Sequence, residues 1–207
     1  MALIHRATLV PTKLELLTAW LPTRPWWTGS GTPELEQVGA YRFDDPAGEV
    51  GVETLVVRSG AGPLLQVPLT YRGAPVDEQA VALVGTVEHS VLGRRWVYDA
   101  CSDPVYAAGL LRVVLTGGTG AAEEVDHGDR REARTPTVLV RGSGSPDATV
   151  PQVDGVRTDA DSDPATVEAG GRQLVVARRL DRVLPGGPAL TGTWAGQDEP
   201  VVLAVVR

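Results

Sequence analysis

Three apolar, alternating segments in close succession constrain this chain most: "LEQVGAYRF" at 35–43, "VGVETLVVR" at 50–58 and "LLQVPLTYR" at 64–72, separated only by "DDPAGE" and "SGAGP". Period-two alternation is strand patterning. Asp, Pro and Gly in connections this short turn the chain back on itself. The run therefore predicts antiparallel neighbours in one sheet. In the third segment Leu65, Val67, Leu69 and Tyr71 share a face, with Gln66, Pro68 and Thr70 on the other. Pro68 has no N–H to give a ladder, which predicts an edge strand or a bulge.

A helix precedes the strands. In "PTKLELLTAWLP" Thr12 stands as the cap with Glu15 three residues on, a capping box that satisfies free backbone donors at a helix start. Leu14, Leu17 and Leu21 fall on one face beside Leu16 and Trp20, and Pro22 stops the helix. After the strands, "RRWVYDA" alternates again, with Trp96, Tyr98 and Ala100 opposed to Val97 and Asp99. "SDPVYAAGLLRVVLTGG" then reads as a second helix with Asp103 at the cap, Pro104 in the first turn and Gly117 past the end. An aspartate in that position accepts backbone N–H bonds and meets the positive end of the helix dipole. As a simple cap it would tolerate Ser or Asn.

Beyond residue 117 the texture changes. "GTGAAEEVDHGDRREARTP" predicts a loop or exposed hairpin, and "GSGSPDATVPQVDGVRTDADSDP" a surface excursion. Short strands are expected at 137–141, 165–169, 172–180, 189–195 and 201–207, the second and third joined tightly through Gly170 and Gly171. No internal repeat is visible.

Composition narrows the function. With 207 residues, 43% hydrophobic and 22% charged, the chain can bury a sizeable core. A net charge of -7 argues against nucleic acid and against an anionic membrane surface, both of which select clustered cations. Cys101 is the only cysteine, so no internal disulfide forms, and a reducing compartment is expected. His5, Arg6 and Lys13 interrupt the N-terminal apolar run, which predicts neither a signal peptide nor a membrane span. The expected location is cytoplasmic. Lys13 is also the sole lysine among nineteen Lys and Arg residues. Any chemistry that needs a lysine must use it.

Six residues are candidates for binding. Trp26 and Trp27, on a loop flanked by Pro and Gly, could stack on sugar rings or anchor a partner, or close the core under the first helix. On an extended segment the two rings face opposite ways. His89 and Asp99 could form a base oriented by a carboxylate, or an unremarkable hydrogen-bonded pair. Arg94 and Arg95 complete the set. A metal site from His89, Asp99, Cys101 and Asp103 lacks the paired spacing of metal motifs, so no metal or other cofactor is expected.

"ATLVPTKLELLTAWLP", "GAYRFDDPAGEVGVETLVVR", "LQVPLTYRGAP" and "RRWVYDACSDPVYAAGLL" together resemble the N-terminal cap domain of actinobacterial maltokinases and related sugar kinases, over residues 1–116. The resemblance implies a curved antiparallel sheet with packed helices, similar to a cystatin fold, without catalytic residues of its own. It also implies a setting in trehalose, maltose and glycogen metabolism. The hairpin "ATVEAGGRQLVVARRLD" is similar to the nucleotide-side strands of those kinases, but Val175 stands where the phosphate-binding lysine would be. "HGD" at 127–129 resembles a sugar-kinase catalytic triplet, yet Arg134 occupies the position of the magnesium-binding asparagine, and the triplet precedes the hairpin, the reverse of kinase order. A solvated charged turn explains it.

The sequence thus predicts an α+β protein, a cap-like half at 1–116 and a β-rich part at 117–207 packed as one body. The expected function is a non-catalytic cap-like module acting on sugar-metabolism enzymes by contact, through a protein partner or a second copy of itself. The alternatives are a glucan or small-sugar binding protein and a divergent enzyme with an unrecognised site.

Overall fold

The computed structural model describes residues 2–5, 7–76, 82–127 and 130–207, residues 2–4 by their backbone. Along the chain lie β1 (Ala2–His5), β2 (Leu9–Val10), α1 (Lys13–Trp20), β3 (Leu35–Phe43), β4 (Gly51–Ser59), β5 (Leu65–Arg72), β6 (Leu83–His89), β7 (Gly93–Asp99) and α2 (Pro104–Thr116). There follow β8 (Glu123–Asp126), β9 (Arg131–Arg134), β10 (Val138–Gly142), β11 (Val156–Asp159), β12 (Ala165–Ala169), β13 (Arg172–Val176), β14 (Ala189–Trp194) and β15 (Gln197–Val206). The protein is mostly β, with 45% of residues in strands and 14% in helix. The charged stretch after α2 forms the hairpin β8–β9, and β1 pairs with β8 in parallel. Four strands lie where the sequence pattern gave none: β1 and β2 before the first helix, β6 and, inside the polar excursion, β11.

The first sheet, ordered β2-β6-β7-β5-β4-β3, is antiparallel throughout and curled. It is covered on both sides. Against one face, α1 lays Leu16, Leu17 and Trp20 over Leu55, Val57, Leu65, Val67, Leu69, Val87 and Val97. Against the other, Tyr41, Phe43, Val52 and Val56 meet Tyr106, Leu110, Leu111 and Val114 of α2. The same cluster takes in Val140, Val167, Leu174, Val176, Leu190, Leu203 and Val206 from the second sheet, whose order is β10-β14-β15-β13-β12-β11. Double coverage explains why the central strand β5 is buried from Leu65 through Thr70, polar positions included.

Pro68 is therefore neither on an edge nor at a bulge. The Gln66 N–H donates to the Arg178 carbonyl at 2.8 Å, while pairing with β7 begins at Leu69. Amide groups two residues apart point the same way along a strand. The missing N–H of Pro68 thus falls in the gap between two partners, segment 178–180 on one side and β7 on the other. Before the gap, β5 is bordered by a segment more than a hundred residues away in sequence.

Local caps follow the sequence. Thr12 and Glu15 form the capping box of α1. Asp103 accepts from the Val105 N–H at 2.9 Å, and Gly117, at φ 68, closes α2 in the left-handed region that glycine enters without a Cβ clash. The second half of the chain finishes the cap: Gly144 and Ser145 donate their N–H groups to the Val114 and Leu115 carbonyls, each at 2.9 Å. A Cβ on Gly144 would collide with the Leu115 carbonyl, so close is the approach.

Two buried carboxylates carry more than their sequence positions suggest. Asp103, fully buried, also accepts the Thr70 hydroxyl at 2.8 Å and a bidentate pair from Arg72 at 2.9 and 2.8 Å. Asp99 accepts the Cys101 N–H at 3.1 Å and an N–H from the fully buried guanidinium of Arg178 at 2.6 Å. Arg178 also donates to the Ala160 carbonyl at 2.9 Å and stacks on the Trp26 ring, 5.1 Å from its centroid. This ion pair joins the first sheet to the second half of the chain.

Two expectations follow. Removing one member of a buried pair strands the other charge, so Arg178→Ala should lower unfolding free energy by about 3–5 kcal/mol in urea melts, and Asp99→Ala by a similar amount. Asp103→Asn keeps the cap but weakens the Arg72 pair, so it should recover only part of the loss caused by Asp103→Ala, whereas a cap acting alone would be rescued almost fully.

Candidate functional site

Period-two pairing decides which side chains share the open end of the α1 face. Arg42 of β3 pairs directly with Glu53 of β4, Tyr71 of β5 lies diagonally beside Glu53, and Arg95 of β7 pairs with Val87 of β6. The N-terminus of α1 adds Lys13. These residues, with His5, Leu9, Phe43, Asp45, Glu49 and His89 among others, line a cleft of about 600 Å³. That volume lies within the range of small-molecule sites.

Glu53 is the floor of the cleft. It is 4% exposed and accepts from Lys13 Nζ at 2.6 Å, from Arg42 Nη2 at 2.6 Å and from the Tyr71 hydroxyl at 3.0 Å. Burial alone would push its carboxyl up, but the charges of Arg42 and Lys13 outweigh it and hold the pKa at about 2. Burial, and the charge of Glu53, drive the Tyr71 phenol well above its ordinary range, so it remains a proton donor to Glu53. Lys13 also stands 5.8 Å from the centroid of the Tyr71 ring.

His89 closes the other wall. Its Nδ1 accepts from the Val91 and Leu92 N–H groups at 3.2 and 3.1 Å, and its ring meets His5 edge-on at 6.0 Å. Burial, then the neighbouring His5, Arg95 and Lys13, lower its pKa. His5 in turn lies 3.8 Å from Asp126. Arg95 donates from Nη2 to the Leu92 carbonyl at 2.7 Å and has no carboxylate partner among the described residues.

The structure separates most of the six residues marked in the sequence. Arg94 and Arg95 are adjacent on a strand and face opposite ways: Arg94 pairs with Glu88 at 2.6 Å on the outer face, and Arg95 enters the cleft. His89 sits opposite Gly93 at the start of β7 and Asp99 ends that strand six residues later, so the two are roughly 20 Å apart along it and form no acid–base pair. Asp99 serves Arg178 instead. Trp26 is 4% exposed, packed edge-on to Trp20 at 5.9 Å and covered by Arg178, which leaves its ring no open face for a ligand. Trp27 is half-buried against the same cluster, where its ring fills the space beside Gly29.

Of the "HGD" triplet only His127 lies within the described residues, where it meets Glu132 at 3.4 Å. Cys101 is buried among apolar side chains, its thiol pushed up to about 12 by burial. Among the described residues no group of three or more His, Cys, Asp and Glu side chains is arranged to hold a metal ion. No helix among them is long and apolar enough to cross a membrane.

The fold and the cleft together define a mostly β module built on a curled sheet, with the buried Glu53 at the floor of the cleft paired to Lys13 and Arg42. Residues 20–103 match the maltokinase N-terminal cap domain family. The match is narrower than the 1–116 resemblance read from the residues. It contains Arg42, Glu53, Tyr71, His89, Arg95 and Asp99, while Lys13 and Arg178 lie outside it. No curated protein matches the chain.

Sequence reading missed Arg42, Glu53 and Tyr71, and singled out Lys13 only for being alone. The available signal was Glu53 itself, a charge in the middle of the otherwise apolar "VGVETLVVR". Inside a strand buried on both faces such a charge needs cationic partners.

The depressed pKa of Glu53 sets a pH window. A carboxyl whose folded pKa lies below its unfolded value stabilises fully above the unfolded value, here 4.5, and loses that contribution as pH falls towards about 2. The linkage is worth about 3 kcal/mol. Glu53→Gln should flatten the acid limb of the stability-versus-pH curve between those values, measured by chemical denaturation. An unchanged acid limb would remove Glu53 from this role.

Proposed function

We propose that this chain is a non-catalytic cap module that works by contact with a protein partner, a sugar-kinase lobe first among candidates. The observation that carries the reading is the family match at 20–103, to a domain described as the N-terminal cap of maltokinase. Two features support the absence of phosphoryl transfer by the chain itself. Its only lysine, Lys13, is engaged with Glu53, and Val175, at the position aligned with the phosphate-binding lysine, is a buried valine on β13. A valine cannot hold the phosphates of ATP. A curled sheet crossed by α1 agrees with a cystatin-like cap, and we infer a cytoplasmic setting in trehalose, maltose or glycogen metabolism, in keeping with a single buried thiol. We infer likewise that residues 1–116 and 117–207 act as one body.

The test mixes the purified chain with a maltokinase whose own cap has been deleted. Light scattering should report a species of the summed mass, with phosphoryl transfer to maltose restored or altered only in the mixture. The chain alone should transfer no phosphate from ATP to maltose, glucose or glucosamine. Turnover by the chain alone would overturn the reading. If no complex forms and the tryptophan fluorescence instead saturates with a maltooligosaccharide, a glucan-binding role takes its place.

A further inference from the structure

The cleft over Glu53 is polarised. Its inner wall carries three fixed cations, Lys13, Arg42 and Arg95, around one buried carboxylate, Glu53. Arg42 also faces Glu123 at 3.8 Å, which Arg134 shares at the same distance. Arg95 differs from the other cations of the wall, because its one hydrogen bond is to the Leu92 carbonyl and no carboxylate among the described residues offsets its charge. His5 and His89 border it, and the carboxylate of this wall, Glu53, is already engaged by Lys13, Arg42 and Tyr71.

The opposite rim is acidic. Asp44, Asp45 and Glu49 line it, and the Asp45 carboxylate is occupied by the N–H groups of Ala47, Glu49 and Val50 at 2.9–3.0 Å. Glu49 is exposed at the mouth, with no side-chain partner among the described residues. A ligand that suits both sides is anionic at one end and rich in hydroxyl groups at the other. A guanidinium and an ammonium suit phosphate oxygens, and a carboxylate suits hydroxyl donors. A second anionic group on the ligand would meet the acidic rim.

We propose that this cleft binds a phosphorylated monosaccharide, its phosphate against Arg95 and Lys13 and its hydroxyl groups towards Glu49. The site is independent of the partner contact proposed above, so either can fail alone.

Isothermal titration of the full chain at low salt, with glucose 6-phosphate, glucose 1-phosphate, inorganic phosphate and glucose as probes, tests it. At least one sugar phosphate should bind more tightly than inorganic phosphate, and glucose should give no saturating heat. Arg95→Ala should weaken the sugar phosphate by about tenfold or more, the loss expected for a charge-assisted hydrogen bond. Arg95→Gln, which retains an N–H donor for the Leu92 carbonyl, should weaken it comparably and serves if Arg95→Ala does not fold. Glu49→Gln should narrow the preference for the sugar phosphate over inorganic phosphate. The proposal fails if neither sugar phosphate binds, if glucose binds as well as its phosphates, if inorganic phosphate binds as tightly as they do, or if both Arg95 variants bind like wild type.

Discussion

The buried pair of Asp99 and Arg178 is the interaction on which the arrangement rests. Arg178 has no exposure to water, so its charge is tolerable only where a carboxylate and an aromatic face replace hydration, and Asp99 and Trp26 supply both. Neither group is local to it. Asp99 ends a strand of the first sheet, Trp26 follows the first helix, and Arg178 lies just beyond β13. Satisfying one guanidinium therefore sets the first helix, the first sheet and the second half of the chain in register. The carbonyl of the same residue, bonded to Gln66, borders β5 where its ladder with β7 has not begun.

Carboxylates recur as the points around which this chain is organised. Asp99 serves the seam, Asp103 joins the start of α2 to β5, and Glu53 gathers β3, β4, β5 and α1. Each is buried, and each is met by at least one arginine. Arg42, Arg72 and Arg178 are thus committed to the interior. Arg95 is the cation in the cleft wall that this internal pairing leaves over, and for that reason the cleft, not the tryptophan loop, is where a small anion would be drawn.

How much of this the sequence disclosed depends on how far apart the participants are. The caps at Thr12 and Asp103 and the strands at 35–43 and 64–72 are decided by neighbours within a few residues, and they read directly. Pro68 was misread because the gap that accommodates it is made by Arg178, far along the chain. Strand β6 was missed because Gly85, at φ 159, interrupts its alternation, and a register shift falls between Leu83 and Gly85. The site suffered most. His89 and Asp99 looked paired because sequence distance ignores the length of the strand between them. Glu53 and Lys13, forty residues apart and in contact, gave only the hint of a charge inside an apolar run.

The seam also determines how the molecule comes apart. The segment that matches the cap family ends at residue 103, but one core cluster draws side chains from α2 and from both six-stranded sheets, and Asp99 keeps its counter-charge beyond the segment. Loosening the second half would bare the apolar face of the first sheet and isolate a carboxylate in its interior. Loosening the first would do the same to Arg178. Neither half can melt at low cost while the other stays folded. Such mutual dependence would give a single cooperative transition, with the end of the matched segment falling inside the shared core cluster rather than at its border.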